Sequence, residues 1–81
     1  MKVRVCFHSY FRELTGTDQI DEEVRDGETL GELVKRLQQK FPKLKPMERS
    51  TLMAVGVEYQ THDYPLHEGD EVSLFPPVQG G

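Results

Sequence analysis

The chain has 81 residues, 36% hydrophobic and 30% charged, the composition of one small soluble globular domain with a single modest core. A net charge of −4 lacks the basic excess of a nucleic-acid binder, and no apolar run approaches a membrane span. The lone cysteine, Cys6, rules out an internal disulfide, and MKVRVCFHS has no continuous apolar stretch of the signal-peptide kind, so a cytoplasmic protein is expected.

Residues 2–8 alternate strictly, with Val3, Val5 and Phe7 on one side and Lys2, Arg4, Cys6 and His8 on the other, which predicts a half-buried strand. Ser9 is placed to cap a short helical turn over Tyr10–Leu14 that Gly16 closes. Residues 19–25 read as a second strand with Ile20 and Val24 inward. Glu22 falls on that same face, so the strand is expected at an edge or bent there. Asp26-Gly27 marks a turn. Thr29 and Glu32 form a capping box ahead of Leu30, Leu33, Val34, Leu37 and Phe41, an apolar stripe at helical spacing that Pro42 ends. A basic, proline-punctuated connection follows over residues 43–50.

Leu52–Val55 predicts a short strand, Gly56-Val57 a type II′ turn, and Glu58-Tyr59-Gln60 the return. Tyr64-Pro65-Leu66 reads as loop and Glu68-Gly69-Asp70 as a tight turn. Residues 71–75 then form the last strand, with Val72 and Leu74 inward and Phe75 outward. One amphipathic helix has to cover one sheet, and the last strand closes that sheet most economically beside the first. The expected fold class is α+β, a β-grasp-like mixed sheet under one main helix.

Charge is unevenly spread. Lys35, Arg36, Lys40, Lys43 and Lys45 make a basic run, and acidic residues gather at 21–23 and 68–71. Two readings stand: ordinary solvated surface, or an acidic face that steers toward a basic partner. His8, His62 and His67 are scattered and no Cys/His pair has ligand spacing, so no metal site is expected.

The chain finishes on LFPPVQGG. Pro76 and Pro77 stop strand pairing and favour an extended path, over which residues 76–81 reach at most roughly 20 Å. Gly80 and Gly81 carry no Cβ, so the tip can enter a narrow channel and deliver its terminal carboxylate into another protein. Activation by AMP would make that carboxylate an acyl electrophile, and a sulfur nucleophile could convert it to a thiocarboxylate. The bland alternative is a frayed or artificial terminus. The division expected is a folded domain over residues 1–75 and a tail over 76–81.

EGDEVSLFPPVQGG resembles the C-terminus of molybdopterin synthase small subunits, which are sulfur carriers of the ubiquitin-like thiamine/molybdopterin family. The resemblance extends to Val3–Phe7, to the Arg12-Glu13-Leu14 turn with Gly16, to Leu52–Val55, to Pro65-Leu66 and to Gly69–Val72, and so covers essentially the whole chain. It implies a β-grasp fold and a non-catalytic, sulfur-carrying subunit of a heteromeric enzyme. It also implies that the Gly81 carboxylate is adenylated by an ATP-using enzyme resembling ubiquitin-activating enzymes and converted to a thiocarboxylate with sulfur from a donor system. The tail of Pro76, Pro77, Val78, Gln79, Gly80 and Gly81 would then enter the large subunit and give sulfur to a pterin precursor. No cofactor would be bound, ATP being used by the activating enzyme, and neither nucleic acid nor membrane would be a partner. Phe75, Tyr59, His8 and Arg12 are implied as partner-docking residues. Phe75 could instead cover a loop, Tyr59 simply pack, and Arg12 form a local ion pair. Gly56 stands where the family usually has Asn, Gln79 where Ser or Thr is common, and His8 where an aromatic residue is frequent. The alternatives are a carrier for thiamine or cysteine synthesis, a modifier joined to lysine through Gly81, and a non-carrier module with an inert tail.

Overall fold

The structure, a computed structural model, describes residues 1–77. The first alternating segment is strand β1, Lys2–Phe7, with Val3, Val5 and Phe7 buried. Ser9 does not cap the next helix: its backbone is left-handed at φ 58°, and Tyr10 holds the cap position without a side-chain bond. A capping residue normally needs extended backbone to aim its hydroxyl at the free N–H groups. Ser9 serves through its carbonyl instead, which accepts the Arg12 N–H at 3.1 Å. Helix α1, Phe11–Thr15, ends at Gly16, whose φ of 78° turns its N–H onto the Arg12 carbonyl.

Strand β2 is Gln19–Glu23, antiparallel to β1, and stops two residues short of the expected end. Its partner strand begins at Lys2, opposite Glu23, and beyond it only Met1 and Val24 still exchange bonds, the Val24 N–H to the Met1 carbonyl at 2.7 Å and the Met1 ammonium to the Val24 carbonyl at 2.9 Å. Val24 is still buried beyond it. Glu22, the residue that broke the apolar pattern, is 8% exposed on an edge strand, and its carboxylate takes Lys40 Nζ at 2.6 Å from the helix above.

That helix, α2, is Leu30–Lys40. Both halves of its capping box are formed: the Glu32 N–H donates to Thr29 Oγ1 at 3.2 Å, and the Thr29 N–H donates to Glu32 Oε1 at 2.9 Å. The other open donors of the first turn go to a distant loop, Leu30 N–H to the Tyr64 carbonyl and Gly31 N–H to the His62 carbonyl, each at 2.8 Å. Leu30, Leu33, Val34 and Leu37 face the sheet, and Phe41 terminates the helix with its ring edge-on to Phe7 at 5.6 Å. The basic connection is more ordered than its sequence suggested. Pro42–Met47 winds as a 3₁₀ helix that buries Leu44, since proline at the first position supplies a helical φ.

Strands β3 (Leu52–Val55), β4 (Glu58–Tyr59) and β5 (Glu71–Phe75) complete the sheet in the order β2-β1-β5-β3-β4. Gly56 at φ 63°, followed by Val57 without a positive φ, fits the II′ turn expected between β3 and β4. The last strand does lie beside the first, parallel to it, and the fold is a β-grasp: a mixed five-stranded sheet with α2 across one face. No helix among the described residues is long and apolar enough to cross a membrane.

Candidate functional site

Residues directly opposite each other in a sheet share a face, so the register defines the surface that α2 leaves open. Cys6 lies opposite Ser73, Leu52 opposite Phe75, Ala54 opposite Ser73, and Tyr59 opposite Ala54. Val72 and Leu74 point into the core, which turns Ser73 and Phe75 outward. The open face is therefore apolar where β1 and β5 end. It is charged where they begin, and there Lys2, Arg4, Asp21, Glu68 and Glu71 line a shallow depression. Arg4 and Asp21 are within 3.8 Å of each other, and Glu68 accepts the Lys2 backbone N–H.

At the apolar end three of the four expected docking residues meet. The His8 ring stacks on Phe75 with centroids 4.4 Å apart and planes 13° from parallel, and Tyr59 meets Phe75 obliquely at 6.4 Å and 64°. Each comes from a different element, His8 just past β1, Phe75 at the end of β5 and Tyr59 on β4. The His8 backbone N–H donates to the Leu74 carbonyl at 3.1 Å, which carries the pairing of β1 with β5 one residue past β1. Tyr59 is 70% exposed and Val57, at the hairpin tip, 100%. Contiguous exposed apolar surface of this kind is characteristic of interaction sites.

Arg12 stands apart on α1. Its Nε donates to the Ser9 carbonyl at 3.3 Å, and it makes no ion pair among the described residues. Leu52 joins the patch through its register with Phe75 and was missed in the sequence, because only the pairing of β3 with β5 reveals it. Val57 was read as a turn residue, and its full exposure is the signal for it. Pro76 and Pro77 follow Phe75 outside any strand, half-buried; the calls on Val78, Gln79, Gly80 and Gly81 lie outside the described residues.

Cys6 is half-buried on the open face. Its thiol pKa is raised, first by burial and then by the negative charge of Glu71, which disfavours the nucleophilic thiolate. Among the described residues no three His, Cys, Asp or Glu side chains are grouped to hold a metal ion.

The chain is similar over its whole length to the molybdopterin synthase sulfur carrier subunit of Mycobacterium tuberculosis, at 37% identity over 82 residues, covering 100% of this chain and 99% of the relative. A putative molybdopterin converting factor subunit 1 from Pyrococcus furiosus superposes with a TM-score of 0.88 at 29% identity, covering 96% of this chain and 99% of that one. A chain in the complex of subunits 1 and 2 of the molybdopterin-converting factor from Helicobacter pylori superposes at 0.71 with 27% identity, covering 100% of both. A match to the ThiS family runs over residues 5–81, taking in the strand before His8, the hairpin of Tyr59 and the Phe75 strand with its tail, and the chain therefore belongs to that family.

Proposed function

We propose that this chain is the sulfur carrier of molybdopterin synthesis, with residues 1–75 as the docking domain and residues 76–81 as the reacting tail. The observation that carries the reading is the aromatic ladder of His8, Phe75 and Tyr59 at the point where β5 gives way to Pro76-Pro77. A protein whose chemistry happens at the end of a short tether needs a docking surface at the root of that tether. Binding there converts delivery of the tail into an intramolecular event. Full-length similarity to sulfur carrier subunits, and to a chain solved in a two-subunit complex, supports the choice of chemistry and of partner.

The reaction proceeds in balanced steps. The Gly81 carboxylate attacks the α-phosphate of ATP on an adenylating enzyme, forming the acyl adenylate and releasing pyrophosphate. A persulfide of the donor system then displaces AMP to give an acyl disulfide, and a second thiol attacks its S–S bond, releasing the thiocarboxylate and leaving a disulfide on the donor side. In the large subunit the thiocarboxylate sulfur attacks a carbon of the pterin precursor and displaces an oxygen leaving group from it. Water then hydrolyses the resulting thioester, which returns the Gly81 carboxylate and leaves the sulfur on the pterin as a thiol. Glycine at position 81 suits every acyl step, because no side chain shields the carbonyl from attack. The carrier holds no cofactor of its own in this scheme. The cytoplasm, where thiols stay reduced, is the compartment that suits it.

Mass spectrometry of the protein ending at Gly81, after incubation with its adenylating enzyme, ATP and a sulfur donor, tests the chemistry. The expected product is heavier by the exchange of one oxygen for one sulfur. An unchanged mass with every adenylating enzyme of its own genome would sink the reading. Conversion of a pterin precursor by the thiocarboxylate form with the large subunit separates this role from thiamine or cysteine synthesis. A lysine conjugate in place of that conversion would make the chain a modifier.

A further inference from the structure

The proposed interface is not purely apolar. His8 Nε2 is fully covered and has no hydrogen-bond partner among the described residues. The backbone on either side is fixed, the His8 backbone N–H on the Leu74 carbonyl and the His8 carbonyl under the Phe11 N–H at 3.2 Å, and the ring itself lies flat on Phe75. A phenylalanine here would supply the same stacking without burying a polar nitrogen. Covered ring nitrogens are normally bonded, and one left unbonded destabilises the state that contains it. The free protein thus carries a polar group whose need is unmet, inside the surface that the tail root shares.

Resting on the docking role argued above, we propose that His8 is a specificity residue of that interface: the large subunit presents a hydroxyl or amide group to Nε2, and this hydrogen bond selects the cognate partner. A neutral imidazole offers one donor and one acceptor nitrogen, and a hydroxyl or primary amide can serve either. Pro76 and Pro77 are half-buried immediately beyond Phe75, and in this proposal the entry of the tail into the partner opens the His8 ring edge to it. The unmet bond is then made only in the complex. A purely apolar pocket would accept Phe75 and Tyr59 but offer the imidazole nitrogen nothing, so the cognate partner is favoured over it by that one hydrogen bond.

The test compares wild type and His8→Phe by calorimetric titration into the large subunit from the same genome, alongside thermal melts of each free carrier. His8→Phe is expected to melt at the same temperature or higher while binding about tenfold more weakly, the loss of one interfacial hydrogen bond. The side-chain ¹⁵N resonance of His8 Nε2 is expected to move on complex formation. Binding by His8→Phe equal to or tighter than wild type, or an Nε2 resonance that stays in place, overturns the proposal and leaves the sulfur-carrier reading standing. Failure of the wild type itself to bind overturns both.

Discussion

Glu28, just ahead of the Thr29 cap of α2, is buried with 2% exposure, and Arg36 Nη1 from within the helix lies 2.5 Å from its Oε2. The other oxygen accepts the Arg25 N–H at 3.0 Å, so the buried carboxylate is bonded on both sides. Removing one partner of such a pair strands a charge in the interior, at a cost of about 3 kcal/mol. Arg36→Ala is expected to lower the melting temperature by on the order of 15 °C for a domain of this size. Adding Glu28→Gln should recover part of the loss by removing the stranded charge. A double variant no more stable than Arg36→Ala in a thermal melt would contradict this account.

Glu22 gives the opposite expectation. It also faces inward, but its cations, Lys40 and Arg36, are themselves partly exposed and keep access to water when it is removed. Glu22→Val restores the apolar alternation with Ile20 and Val24 and should change stability by less than about 1 kcal/mol, measured by urea unfolding.

The capping box makes α2 sensitive to acid. The Glu32 carboxyl titrates below its ordinary range because the Thr29 N–H and then the Thr29 hydroxyl bond its ionised form. A lowered folded value contributes stability above the unfolded pKa, and that contribution is lost as pH falls through the folded one. Glu32→Gln should therefore lower the melting temperature slightly at neutrality, where the ionised form contributes, and flatten its fall on acidification below about pH 4.5. Thr29→Ala, which removes the hydroxyl cap itself, should cost about 1 kcal/mol at pH 7 by chemical denaturation.

Gly31 sits in the first turn of α2, where alanine would raise helix propensity by up to about 1 kcal/mol. A Cβ there would lie 2.9 Å from His62 Cβ and 3.0 Å from the His62 carbonyl oxygen, and that oxygen holds the Gly31 N–H. Backbone has to move, at about 1–3 kcal/mol. Gly31→Ala is thus expected to be net destabilising in a thermal melt despite its helix preference.

On the proposed docking face, Phe75→Ala is expected to weaken binding to the large subunit by about 30-fold or more, as for an aromatic anchor at the centre of an interface. Tyr59→Ala should act in the same direction. Val57→Ser, at a fully exposed position, should leave the melting temperature unchanged and lower the affinity severalfold, which titration calorimetry would resolve.

Much of the architecture could be read residue by residue. The alternation of Val3, Val5 and Phe7, the stripe from Leu30 to Leu37, the Thr29–Glu32 box and the Gly56 turn are all short-range patterns, in which neighbours along the chain carry the information. The Ser9 cap failed because a good capping side chain cannot act from a left-handed backbone, and that backbone follows from how the chain leaves β1. Leu44 went unnoticed because one apolar residue among lysines and prolines has no period to display.

The tail motif and its glycines are likewise plain in the sequence, since the proposed chemistry needs only a slim end and a free carboxylate. The surface that would present that end is not. His8, Tyr59 and Phe75 are scattered along the chain and become one ladder only when β1, β5, β3 and β4 pair in register. The same holds for the cations that pair with Glu22 and Glu28: the alternation puts Glu22 on the inward face, but only the packing of α2 brings Lys40 to it and Arg36 to Glu28. Local patterning chooses helix and strand because it depends on backbone geometry over a few residues. Which distant side chains share a face depends on strand register, and register is set by burying the whole apolar face at once.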